Sequence, residues 1–268
     1  MKKYILFLLS GMLMTSCIDT EVLPNDVVIG EDFWKTKDDV TSMVAAAYKE
    51  MSQAGVIERC IVWGDFRSDE LEVNEIVFND SKRTDLEEIK VGTMDYENQF
   101  SDWASLYSVI NKCNIVLEKA PQVVSIDPSY TEGTLRTDES QMLALRALCY
   151  FYLVRAFRDV PVTDGASFNS SQNFEIPQQA PLTVLDKCIE DLQKALQTPL
   201  SPDGYTDWRS VGYINRDAIN AILADVYLWR ASMTGNLDDY DKCVDYCDAV
   251  IESKKARFLS DTQASGPS

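Results

Sequence analysis

Apolar residues recur at helical spacing in six stretches of the chain. Val40, Val44, Tyr48 and Met51 stand three or four positions apart, the period that lines one face of an α-helix. Thr36 and Asp39 form a capping-box-like start for this first helix, Gly55 closes it, and Phe33 and Trp34 are placed to staple its beginning. A second helix is predicted from about Ser101 to Ala120, with Leu106, Ile110, Cys113 and Leu117 on one face and Pro121 as its stop. The third, Asp138 to Arg158, carries Leu143, Ala147, Tyr150, Val154 and Phe157 on one face. Leu145, Leu148, Phe151 and Leu153 fill much of the rest, so this helix must be buried nearly all round. A fourth shows Leu185, Ile189, Leu192 and Leu196. The fifth, Arg216 to Ser232, sets small Ala218, Ala221 and Ala224 beside Ile222, Val226 and Trp229. The sixth, Leu237 to Ser253, displays Tyr240, Val244, Cys247 and Ile251.

Between these stretches the pattern fails. Ile57 to Gln99 mixes short β-prone pieces such as Cys60-Ile61-Val62-Trp63 with charged runs and reads as mostly irregular. Asp159 to Pro181 and Pro199 to Asn215 read as long loops, the second holding Tyr205, Trp208 and Tyr213; loops of this length are usually functional or disordered. Antiparallel helix pairs with alternating large and small residues follow the logic of a tetratricopeptide-type stack, although no clean 34-residue repeat emerges. The expected fold class is therefore all-α, a tetratricopeptide-like helical repeat stack with long loop insertions.

The N-terminus has a different pattern. Lys2 and Lys3 precede an apolar run from Ile5 to Met14 and a small pair, Thr15-Ser16. That is the layout of a signal peptide, and its apolar run falls well short of the roughly 20 residues a spanning helix needs. Cys17 directly after the small pair resembles the bacterial lipobox, so lipidation is expected at Cys17, where several acyl chains would give a stable anchor. Residues 18–32 are polar and aperiodic and read as an extended tether. The expected organisation is a signal peptide over 1–16, a tether over 17–32 and a helical domain over 33–260.

Composition narrows the chemistry. The 268 residues carry 25 Lys and Arg against 43 Asp and Glu, a net charge of −18, which makes nucleic acid a poor partner because phosphate needs cationic neutralisation. There is no histidine, which removes Ser/His/Asp and Cys/His catalysis and His-containing zinc sites. Carboxylate pairs could support glycoside hydrolysis, but among 43 acids some pair is inevitable and none is singled out. Cys60, Cys113, Cys149, Cys188, Cys243 and Cys247 are even in number, so disulfides are possible in an oxidising compartment; most read instead as small core hydrophobes. Neither a metal nor a cofactor is expected.

Several motifs, in order, are similar to the SusD/RagB family of outer-membrane nutrient-binding lipoproteins. After the lipobox comes Phe33-Trp34-Lys35-Thr36-Lys37-Asp38-Asp39-Val40, then Ala45-Ala46-Ala47-Tyr48. Trp103, Tyr107, Ile110 and Asn114 match the family's next helix, and the run from Arg146 to Pro161 its most recognisable segment, with Arg158 where the family usually has Gly. Ile189 to Ala195 and Ala218 to Trp229 match two further patterns. Family members usually run to about twice this length, so the chain is expected to be a truncated or fragmentary member, with surface exposed that the other half would cover.

The resemblance implies a cell-surface lipoprotein of the outer membrane, not an enzyme, that captures a glycan or related nutrient and delivers it to a SusC-like TonB-dependent transporter. Sugar sites of this kind combine aromatic platforms with Asp, Asn and Arg hydrogen bonds. The local cluster of that chemistry is Trp63, Asp65, Arg67, Asp69 and Asn74, in a zone from which family ligand contacts often come. For any one of these residues a structural role is the stronger reading, with Trp63 and Phe66 as core anchors and Asp65, Arg67 and Asp69 as a local salt-bridge network. Tyr205, Trp208 and Arg209 form an alternative cluster, whereas Trp103 and Trp229 sit at helix-packing positions. A tetratricopeptide-like adaptor that docks a transporter without binding sugar is the competing function.

Overall fold

The computed structural model describes residues 33–68, 70–73, 80–168, 175–201, 207 and 209–264. Cys17, the signal peptide, the tether, Asp69, Asn74, Tyr205 and Trp208 lie outside them. Helix α1 (Lys37–Met51) begins on a full capping box: the Thr36 hydroxyl accepts the Asp39 N–H, and the Asp39 carboxylate accepts the Thr36 N–H at 2.7 Å. Val40, Met43, Val44 and Ala47 are its buried face, and Trp34 is buried just ahead of it.

The chain continues through α2 (Ala54–Trp63), a single 3-10 turn (Asp65–Arg67), α3 (Asp80–Val91), α4 (Ala104–Val123) and α5 (Glu132–Phe157). A two-residue antiparallel pair, β1 (Val160–Pro161) and β2 (Gln178–Gln179), closes the base of the next loop. Then come α6 (Pro181–Ala195), the short α7 (Arg209–Gly212), α8 (Arg216–Thr234) and α9 (Leu237–Ala264). Packing runs along the stack: α1 on α4, α4 on α5, α5 on α6, α6 on α8, and α8 on α9. The fold is all-α and tetratricopeptide-like, as its periodicity predicts, with α2 and α3 inserted between two stacked helices.

That insertion corrects the irregular reading of 57–99. The β-prone run at Cys60 to Trp63 is helical, and α3 follows. Both helices evade a periodicity search because little of each is buried. Val62 of α2 and Leu86 of α3 meet Phe66 and Phe100 in one small cluster, too few positions to repeat over several turns. Pro121 does not stop α4, which continues to Val123; fully buried Ala120 and Val123 hold the last turn in place. Helix α5 starts a turn and a half earlier than expected, because Thr131 caps it through the Thr134 N–H and Leu135 adds a buried position. It is buried nearly all round, as expected.

Two other helices present different faces from those predicted. In α8 the inward stripe is Ile219, Leu223, Val226, Tyr227 and Ala231, while Ala221 is exposed and Trp229 is 38% exposed. In α9 the apolar stripe Leu237, Tyr240, Val244 and Ile251 faces outward together with exposed Cys247. Instead α9 meets α8 through polar and aromatic pairs: Asp239 with Arg230, Tyr246 stacked on Tyr227 at 5.7 Å, and Arg257 with Asp217. All six cysteines from Cys60 to Cys247 are free, and Cys113, Cys149 and Cys188 are buried.

A polar knot ties the centre of the stack. Buried Arg146 donates two bonds to Asp191 at 2.8 and 2.9 Å and a third to Asn114 Oδ1 at 2.7 Å, so α4, α5 and α6 are joined at one guanidinium. Asn114 Nδ2 donates onward to the Thr163 and Gly165 carbonyls, both at 3.1 Å. The Tyr150 hydroxyl accepts the Thr163 N–H at 2.8 Å. The loop after α5 is thus fastened by side chains of the helices beneath it. It leaves α5 through Arg158, whose φ of 66° is the one positive value at a non-glycine among the described residues. The backbone keeps the conformation that glycine adopts freely, and arginine occupies it under strain.

Candidate functional site

The end of α2 places Trp63 beside the C-terminal end of α5. Its ring stands edge-on to Phe157 at 5.1 Å and its indole N–H donates to the Phe100 carbonyl at 2.9 Å. These contacts fix the plane of a side chain that is only half-buried. Immediately after it, the 3-10 turn sends Phe66 into the small apolar cluster and leaves Asp65 and Arg67 exposed. The Asp65 carbonyl accepts both the Ser68 N–H, at 3.1 Å, and the Ser68 hydroxyl, at 2.6 Å.

A groove of about 600 Å³ opens at this point, lined by Trp63, Arg67, Ser68, Tyr152, Arg155 and Trp229. Its volume lies within the range of small-ligand sites. Arg155 is held by aromatic faces, with its guanidinium 4.2 Å from the Phe151 ring centroid, 4.9 Å from Tyr152 and 6.0 Å from Trp229. One of its nitrogens lies 3.5 Å from the Asp225 carboxylate. Burial, reinforced by Cys60 and Asp65, raises the Tyr152 phenol above its ordinary pKa against the pull of Arg155, so it is a neutral hydroxyl at physiological pH. Burial pushes the Cys60 thiol up to about 11 despite Arg155, which removes it as a nucleophile.

Of the cluster expected from sequence, the structure brings Trp63 and Arg67 to one groove. Asp65 is at its margin and is not part of its lining, while Asp69 and Asn74 lie outside the described residues. Sequence reasoning missed Tyr152, Arg155 and Trp229. The sequence places Trp229 at a helix-packing position, and its exposure in the groove corrects that. The missed signal was the inward stripe of α8 beginning at Ile219, which turns Trp229 away from the core. Trp103 lines a second hollow of about 510 Å³ with Tyr107, Asn111 and Pro161. There the polar groups are committed to the adjoining loop: the Tyr107 hydroxyl donates to the Pro161 carbonyl at 2.6 Å, and Asn111 exchanges bonds with the Ser167 backbone at 2.9 and 2.7 Å.

Residues 23–228 match a SusD-like family described as starch-binding and associating with the outer membrane. The chain belongs to the SusD-like family. It is 28% identical over 193 residues to the SusD-like protein P38 of Formosa agariphila, covering 71% of this chain and 36% of that protein. A crystal structure of a SusD superfamily protein from Bacteroides thetaiotaomicron superposes with a TM-score of 0.69 at 26% identity, over 82% of this chain and 48% of the other. A laminarin-binding SusD-like protein shares the fold, with a TM-score of 0.63 at 19% identity over 81% of this chain and 44% of that one. The chain thus spans between about a third and half the length of these relatives. SusD-like proteins are binding proteins, not enzymes. Tyr107, Asn114, Arg146 and Tyr150, which lie in the segments that resemble the family in sequence, are residues that knot the stack and its loop.

Proposed function

We propose that this SusD-like chain is a cell-surface lipoprotein that binds a glycan in the groove between α2, α5 and α8 and passes it to a TonB-dependent transporter of the outer membrane. The observation that carries the reading is the pair of partly exposed tryptophans, Trp63 and Trp229, lining one groove with two guanidiniums and two hydroxyls. Indole faces complement the C–H faces of pyranose rings, and the polar groups hold ring substituents. The family description and the laminarin-binding neighbour support a glycan as the ligand.

The test is affinity electrophoresis of the full chain through gels containing starch, laminarin, pectate or carrageenan. Retardation by at least one polysaccharide is expected, and it should be lost in Trp229→Ala, a change at an exposed side chain that the fold tolerates. Mobility unaltered by every polysaccharide, or a retardation that Trp229→Ala leaves intact, refutes the reading and favours the adaptor. Lipid attachment at Cys17 has its own check: Cys17→Ala should move the protein from the membrane to the soluble fraction, and full retention in the membrane contradicts it.

A further inference from the structure

The groove described above is unusual in what it lacks. In a chain with 43 acidic against 25 basic residues, no carboxylate and no side-chain amide is among the described residues that line it, while two arginines are. A guanidinium offers five N–H donors and no acceptor. The remaining side-chain polar groups add little accepting capacity. The Trp63 N–H is a donor already committed to the Phe100 carbonyl, and the Ser68 hydroxyl, whose proton goes to the Asp65 carbonyl, already accepts the Glu70 N–H at 3.2 Å. The Tyr152 phenol oxygen is engaged by the Arg155 guanidinium.

A neutral sugar is poorly matched to such a surface. Each of its hydroxyls both donates and accepts, so a site for it needs acceptors such as Asp or Asn beside the donors. A carboxylate or a sulfate ester only accepts, and planar guanidinium forks meet such groups with paired, charge-assisted bonds. Two acids stand at the margin. Asp225 engages Arg155 at 3.5 Å, and the charge of Asp65 reaches Tyr152. Arg67 is exposed at the groove, and among the described residues no ion pair engages it. The net charge of −18 repels anions at long range, so recognition of an anionic sugar here would depend on these contacts at close quarters.

We infer that the groove selects an anionic glycan, one bearing a uronate carboxylate or a sulfate ester, with Arg67 and Arg155 holding the anion and Trp63 and Trp229 holding the adjacent sugar rings. This rests on the proposed glycan-binding function and narrows it. The experiment is isothermal titration of the full chain with maltohexaose, laminarihexaose, a galacturonate hexamer and a carrageenan hexasaccharide. The two acidic oligosaccharides separate carboxylate from sulfate as the source of charge.

At least one acidic oligosaccharide should bind tenfold or more tighter than both neutral ones. Arg67→Gln should erase that preference, leaving the residual affinity near that of the neutral sugars, while Trp229→Ala should abolish binding of both classes. Circular dichroism of each variant verifies folding, and Arg155→Gln supplies a second removal of charge from the groove. If a neutral hexasaccharide binds as tightly as the acidic ones, or if both arginine variants keep the acidic preference, the inference falls while glycan binding stands. If no oligosaccharide of either class binds the folded chain, the glycan reading falls and the inference with it.

Discussion

Two arginine–carboxylate pairs of the same bidentate geometry hold different parts of this molecule. Arg146 and Asp191, at the centre, are 6% and 0% exposed; Arg230 and Asp239, between α8 and α9, are 22% and 5% exposed. At the centre the charges are surrounded by apolar side chains and bonded onward to Asn114 and Lys187, the latter 3.4 Å from Asp191. At the edge the pair is one of several polar contacts strung along two helices, and Arg230 also reaches exposed Asp186 at 2.6 Å. Burial turns the same chemical pair from a surface contact into a condition of the fold. A charge stranded in the interior costs far more than one that water can reach.

The comparison can be broken most directly at its buried end. Asp191→Ala strands the Arg146 guanidinium and should destabilise the protein by about 3–5 kcal/mol, read as a lower urea midpoint; a loss below 1 kcal/mol would show that the centre is no different from the edge. Asp138, in α5, sharpens the contrast because burial acts there without a bonded cation. Its carboxyl is pushed up to about 6 by burial, against the pull of the hydrogen bond from Tyr130. A raised native pKa means that the charged form is disfavoured in the fold. The penalty is therefore absent below about pH 4 and complete once the pH has risen past 6. Asp138→Asn should stabilise by up to about 2 kcal/mol at pH 7.5 and have little effect at pH 4, and a gain independent of pH would contradict this account.

At the edge, Asp239→Asn should cost only about 1 kcal/mol, since Arg230 keeps Asp186 and solvent; thermal melts of the two pair variants side by side give the ratio. The smallest effect is expected where the central helix gives way to its loop. Arg158→Gly relieves a positive φ at a cost of greater freedom in the unfolded chain, for a net gain of roughly 0.5–1 kcal/mol. A destabilised Arg158→Gly would mean that the arginine side chain contributes something that its backbone conformation does not reveal.

The same contrast between centre and edge governs how much could be read from the sequence. The capping box at Thr36 and Asp39, the four-sided burial of α5 and the stack itself were legible, because long helices with many buried positions repeat their pattern. Helices α2 and α3 were not, since a cluster of a few buried residues around Val62 and Leu86 leaves no period to detect. The orientation of α8 was misjudged because its stripe can be drawn through Ile222 and Trp229 or through Ile219 and Tyr227, and only the neighbouring α6 and α9 decide between them. Trp229, one of the six groove side chains, was lost with that choice. Arg146 and Asn114 were recognisable as motif residues, but that they are bonded to one another, and through Asp191 to a third helix, required the structure.

The knot at Arg146 also has a mechanical consequence. Helices packed through apolar side chains can in principle slip past one another by a turn, about 5.4 Å, with modest loss of contact. A guanidinium whose donors are spoken for by two neighbouring helices acts as an index pin and forbids that slip. Tyr152 lies six residues beyond the pin, roughly 9 Å along the same rigid helix, so this wall of the groove is set in phase with the centre of the stack. Trp229 stands on α8, whose own guanidinium bridge, from Arg230 to Asp186 of α6 and Asp239 of α9, is within reach of water, so any adjustment of the groove to the size of its occupant falls to that side.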